Sequence, residues 1–89
     1  MEEEKGLPPE GGTPIVGREM TYGERAVGIT FNPSNDPTVQ KVKELYAQII
    51  DVCNELKTSE PGEVNRLLSI AITEAQTAQM WAVKAITWK

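Results

Sequence analysis

Between Ala75 and Val83 the sequence AQTAQMWAV carries no charge and sets apolar or small side chains on more than one side of a helix. Ala71, Ala75, Ala78, Ala82 and Ala85 make one stripe of small residues that another helix can approach closely. Leu68, Ile72, Val83 and Ile86, with Met80, Trp81 and Trp88, spread apolar surface around the other sides. A helix that is apolar on several faces is normally buried on several faces. One partner helix covers only one of them, so the chain is expected to be an all-α protein whose copies pack on each other.

The partner within the chain is the preceding helix. Val39, Val42, Leu45, Tyr46, Ile49, Ile50, Cys53 and Leu56 recur at steps of three and four, which predicts one apolar stripe on a helix over 37–57. Asp36 or Asn35 supplies an N-cap and Pro37 suits the first helical position. KTSEPGE then provides a stop and a turn, with Ser59 as a cap and Pro61 in the next first turn. The second helix is expected over 62–87, about 39 Å long at 1.5 Å per residue. The two helices make an antiparallel hairpin over 37–89.

Upstream, MEEEKGLPPEGGTP joins an acidic cluster to Pro and Gly with few large apolar groups, so residues 1–14 are expected to be a flexible acidic arm. Residues 15–36 lack a clear period and are expected to be an irregular segment followed by a shaped loop. In that loop Pro33 confines Asn32 to extended geometry. A hairpin this small seldom builds enough core alone, which again favours oligomerisation.

Composition excludes several functions. The chain has no histidine and one cysteine, Cys53, which rules out a Cys/His zinc site, a histidine-based catalytic pair and an internal disulfide. Cys53 reads as a thiol on the apolar face. The net charge of −4 is concentrated at the start: residues 1–24 hold six acids and two bases, whereas residues 25–89 hold seven of each. A neutral folded part argues against DNA or RNA binding. No apolar run of about 18 residues and no charged-then-apolar leader is present, so neither a membrane partner nor export is expected. No phosphate-binding glycine loop or nucleophile elbow appears, and Glu74, in a region with few charges, is read as the partner of a nearby cation, Lys84 or a lysine of a neighbouring subunit. A binding protein without cofactor is expected, not an enzyme.

TFNPSNDPTVQKVKELYAQIIDVCNEL followed by EVNRLLSIAITEAQTAQMWAVKAITWK resembles the phage anti-CBASS cyclic-nucleotide sponges, whose helical hairpin is shared with related anti-Thoeris sponges. The resemblance rests on the aromatic-X-Pro step Phe31, Asn32, Pro33, then Glu74, Met80-Trp81-Ala82 and Ala85-Ile86, within Ile29–Thr87. The loop here reads Asn-Pro-Ser where relatives often have His-Pro-Pro. The resemblance implies a hexamer of hairpins in the bacterial host cytoplasm that holds cyclic di- and trinucleotide immune messengers without cleaving them. The two-fold character of a cyclic dinucleotide suits a symmetric subunit junction.

On that reading Phe31 stacks on a purine, or else plugs the hairpin core. Asn32 hydrogen-bonds the ligand or serves only as a turn former. Lys41, Lys43 and Arg25 are the cations placed to meet a phosphate, against a plain solvated role for each. Thr73, Thr77 and Lys84, with Arg66, are candidates for a trinucleotide site at a three-fold junction. Trp81 and Trp88 share a face with Met80 and read as interface packing. The alternative is a structural or regulatory hairpin oligomer that binds a protein partner and no small molecule.

Overall fold

A computed structural model describes residues 18–89, which fold as three helices, α1 (Tyr22–Val27), α2 (Pro37–Leu56) and α3 (Glu63–Ile86), with no strand among them. α2 and α3 pack along each other as an antiparallel hairpin, and α1 lies chiefly on α2. The expected acidic arm over 1–14 falls outside the described residues.

Within the stretch expected to be an irregular segment and loop, 15–36, α1 makes residues 22–27 helical, and 15–17 lie outside the described residues. Thr21 caps α1: its hydroxyl accepts from the Glu24 N–H at 3.1 Å, and the Glu24 carboxylate accepts from the Thr21 N–H at 2.8 Å. This reciprocal box satisfies two donors that a helix start otherwise leaves open. Gly28, at φ 65°, closes the other end, and the Ile29 N–H donates to the Glu24 carbonyl at 3.0 Å. Six residues form a helix here because both ends are closed and α2 supplies a surface. Gly23 allows the close approach: a Cβ at this position would lie 2.1 Å from the Ala47 carbonyl oxygen. The Gly23 N–H donates to Asp51 Oδ1 at 2.7 Å, fastening α1 to the middle of α2.

α2 starts at Asp36, whose carboxylate accepts from the Thr38 N–H at 2.8 Å, with Pro37 in the first turn. At the hairpin turn Ser59 and Pro61 lie before the helix, and Gly62, at φ 153°, occupies the N-cap without any side-chain cap. Asn65, and not the expected Ser59, holds this turn. Its amide donates to the carbonyls of Thr58 and Glu60 at 2.6 and 2.8 Å, and its oxygen accepts from the Thr58 N–H at 3.1 Å. The turn is thus closed by a residue inside α3.

The core gathers Val27, Ile29, Ala47, Ile50 and Ile72, flanked by Met20, Ala26, Tyr46, Cys53 and Ala75. Burying an Ile or Val side chain fully contributes about 1.5–3 kcal/mol, and Ile29, Ile50 and Val39 are all essentially sealed. The alanine stripe of α3 does not form the seam with α2 as a unit: Ala75 joins the core, whereas Ala71 and Ala85 are exposed. Ile72 and Gln79 are the buried residues of α3. Leu45, Ile49, Val52 and Leu56 remain half or more exposed along α2.

Candidate functional site

The loop between α1 and α2 is held by side chains from one face of α2. The Lys43 ammonium donates to the carbonyls of Gly28, at 3.0 Å, and Phe31. One turn away, the Gln40 amide donates to the Ile29 carbonyl at 3.3 Å. Backbone turns tighten the same segment, with Phe31 N–H to the Gly28 carbonyl at 2.9 Å and Asn35 N–H to the Asn32 carbonyl at 3.1 Å. Buried carbonyls left without donors are costly, so Lys43 and Gln40 fix where this loop lies.

The loop presents Phe31 outward, 71% exposed, with the Lys43 ammonium 5.6 Å from its ring centroid. The ring therefore does not plug the core. Beside it opens a cleft of about 240 Å³ with largely apolar walls, among them Phe31, Pro33, Val39, Lys43, Val83 and Thr87. The antiparallel hairpin brings the end of α3 to the start of α2, which is why Val83 and Thr87 face Val39 and the loop. An apolar slot with an exposed aromatic ring and one cation in its wall suits a flat heterocycle.

Lys43 is buried, and burial pushes its ammonium below the ordinary lysine range. It is committed to loop carbonyls and does not stand as the mobile point charge expected from the sequence. Asn32 is engaged at both ends of its amide. It donates to the Asp36 carbonyl at 3.1 Å and accepts from the Ser34 hydroxyl at 2.7 Å. That arrangement serves the turn. Lys41 and Arg25 are exposed, and neither lines this cleft.

The remaining sequence-predicted residues are elsewhere. Thr73 lines a shallow groove of about 300 Å³ on α3 with Arg66, Ser69, Ile70 and Glu74. The Thr77 hydroxyl donates to the Thr73 carbonyl at 3.2 Å. The expected Glu74–Lys84 pair does not form, because ten residues of helix separate the two by about 15 Å. The Lys84 ammonium lies instead over the rings of Trp81 and Trp88, 5.5 and 5.9 Å from their centroids. Arg66 pairs with Glu63 at 2.7 Å on the surface. Residues that sequence reasoning did not assign to the site are Ser34, Val39, Val83 and Thr87. The i, i+4 spacing of Val83 and Thr87 was the available signal.

Among the described residues no cluster of Cys, Asp and Glu could hold a metal ion, and no helix is long and apolar enough to cross a membrane. Comparison with curated proteins and with solved structures gives no match. The family model described as Acb2/Tad1, hairpin domain, matches residues 24–87. The match takes in most of α1, the Phe31 loop and both hairpin helices, beginning at Glu24 where the resemblance read from the sequence began at Ile29. Membership implies sponge-type binding of cyclic nucleotides. With most of its length in the match, the chain belongs to the Acb2/Tad1 hairpin-domain family of anti-CBASS and anti-Thoeris sponges.

Proposed function

We propose that this protein sequesters cyclic di- and trinucleotide messengers of CBASS-type bacterial defence, stoichiometrically and without cleaving them, in the cytoplasm of the phage's host. The observation that carries this reading is Phe31, held by Lys43 and standing exposed at the lip of an apolar cleft. One base of the ligand enters the cleft and stacks on Phe31. The phosphates are met by cations outside it, with Arg25 and Lys41 the exposed candidates near the loop. The groove at Thr73 and Arg66, with Thr77 on the same helix and Lys84 further along, is a second anion site completed by another copy of the chain.

Self-association into a hexamer follows the same reasoning. Leu45, Ile49, Val52 and Leu56 of α2, with Val64, Leu67 and Ile70 of α3, leave more apolar surface open than one hairpin covers. This surface also favours a second reading, a hairpin module that docks on a protein partner without any messenger.

Isothermal titration with a panel of cyclic di- and trinucleotides separates the two. Capture predicts saturable binding that Phe31→Ala weakens by about 5- to 150-fold, the equivalent of a 1–3 kcal/mol base stack. The helical circular-dichroism signal should be unchanged, since the ring lies outside the core. Absence of binding below millimolar concentration by the unaltered protein would leave only the docking module.

A further inference from the structure

Both tryptophans of the chain, Trp81 on α3 and Trp88 just past its end, are 65% and 73% exposed. The Lys84 ammonium stands over both rings, 5.5 and 5.9 Å from their centroids. Residues 75–89 hold Lys84 and Lys89 and no acid, so the patch is apolar with positive charge on it. Neither the core nor the Phe31 cleft uses Trp81, Lys84 or Trp88. Large exposed aromatics gathered in one place mark an interaction surface.

The sequence holds a segment of matching chemistry outside the described residues. Residues 2–10, EEEKGLPPE, set Leu7, Pro8 and Pro9 between three glutamates on one side and Glu10 on the other. Proline-rich segments dock on aromatic surfaces because they lose little entropy in doing so. At about 3.1 Å per residue in polyproline geometry, three or four residues reach from one indole to the other. The flanking carboxylates then meet Lys84 and Lys89. The length of chain suffices as well. The Gly23 N–H is fixed to Asp51 and the Gly28 carbonyl to Lys43, so the described chain begins beside the middle of α2 and runs toward its start. Trp88 lies at that start, sharing a cleft with Asp36. From Asp51 to Pro37 is about 21 Å along the helix, and residues 10–17 span up to about 26 Å when extended.

We propose that the Trp81–Lys84–Trp88 patch is the docking surface for the acidic, proline-containing segment 2–10 of this chain. Pro8 and Pro9 lie on the indoles, and the glutamates pair with Lys84 and Lys89. The proposal does not depend on messenger capture. Lys84 meets the carboxylates of the arm when no anionic ligand is present.

Because both tryptophans of the chain belong to the patch, intrinsic fluorescence reads this surface and nothing else. The test measures emission and acrylamide quenching of the full chain without nucleotide, together with its sedimentation mass. Two full-length variants are compared with it. One carries Pro8→Gly and Pro9→Gly, which keeps the charge but loses the rings and their stiffness. The other carries Glu2→Gln, Glu3→Gln and Glu4→Gln, which keeps the prolines. Both leave the described helices untouched, so the circular-dichroism signal should not change. The unaltered protein should show shielded indoles. The proline variant should emit further to the red and quench more strongly at the same sedimentation mass. The glutamine variant should do the same in part, and salt should move the unaltered protein in that direction. Equal quenching of the unaltered protein and the proline variant overturns the proposal. Shielding that all three share, and that disappears on dilution as the mass falls, assigns the indoles to a second copy and overturns it too. Unchanged quenching in the glutamine variant overturns the pairing with Lys84 and Lys89.

Discussion

Lys43 and Phe31 touch twice: the ammonium donates to the Phe31 carbonyl and lies 5.6 Å from the centroid of the Phe31 ring. One buried side chain on α2 therefore sets both the path of the loop and the position of the aromatic at its tip. Lys43→Met keeps the apolar stem but removes the donor, leaving the Phe31 carbonyl without its partner. Stability should fall by about 1–3 kcal/mol, read as a lower Tm in circular-dichroism melts, and messenger affinity should fall with it. An unchanged melt would mean that the ammonium does not hold the loop.

Gly23 sets α1 directly against the Ala47 backbone of α2. Gly23→Ala would drive a methyl into the Ala47 carbonyl, forcing α1 outward and stretching the bond to Asp51. Overpacking of this kind costs about 1–3 kcal/mol. Hydrogen exchange should show faster exchange at the α1 amides than elsewhere; a uniform change along the chain would place the strain in the hairpin.

Much of the hairpin was legible in the sequence because Val39, Tyr46, Ile50 and Cys53 repeat at helical spacing and Asp36-Pro37 marks a start. Periodicity gives a helix its apolar side but not the partner that covers it, so Leu45 and Ile49 belong to the same pattern as Ile50 and are nevertheless exposed. α1 was illegible by periodicity, being short and holding a glycine. Its legible trace was the Thr21-x-x-Glu24 box followed by Gly28. Lys43 read as a phosphate-meeting or solvated helix charge because the loop that folds over it comes from outside α2, a tertiary fact that no local pattern contains. The neighbourhood of Phe31 and Pro33 was visible in the aromatic-X-Pro step. Val83 and Thr87 required knowing which end of α3 returns to it.

Acid should loosen the α1 clasp. Bidentate hydrogen bonds from Arg18, at 2.8 and 2.6 Å, hold the Glu24 carboxyl below its ordinary value of 4.5, with the Thr21 N–H acting in the same direction against burial. Because the folded value is depressed, the unfolded chain binds more protons in acid. The stabilisation is complete above about pH 4.5 and is lost as pH falls through the depressed folded value. Its size should be on the order of 1 kcal/mol, since Arg18 is partly exposed and water screens the pair. Melts between neutral pH and pH 3 should show this loss in the unaltered protein and a smaller one in Glu24→Gln. Equal acid sensitivity in both would remove Glu24 from the account.

The apolar row on α2 should be an assembly surface. Replacing Ile49 and Val52 together by Lys puts two charges on residues that a single hairpin leaves half exposed, so the helices should persist while the sedimentation mass drops. An unaltered protein that already sediments as one chain in dilute buffer would exclude the proposed self-association.

Capture without chemistry is tested most directly by following a cyclic dinucleotide through a binding and release cycle. The protein is mixed with the ligand and the free ligand measured. The protein is then heat-denatured, and what it releases is identified by mass spectrometry. The account predicts that free ligand falls in fixed proportion to added protein and returns intact in full; ligand that stays free, or that returns as a linear nucleotide, would contradict it.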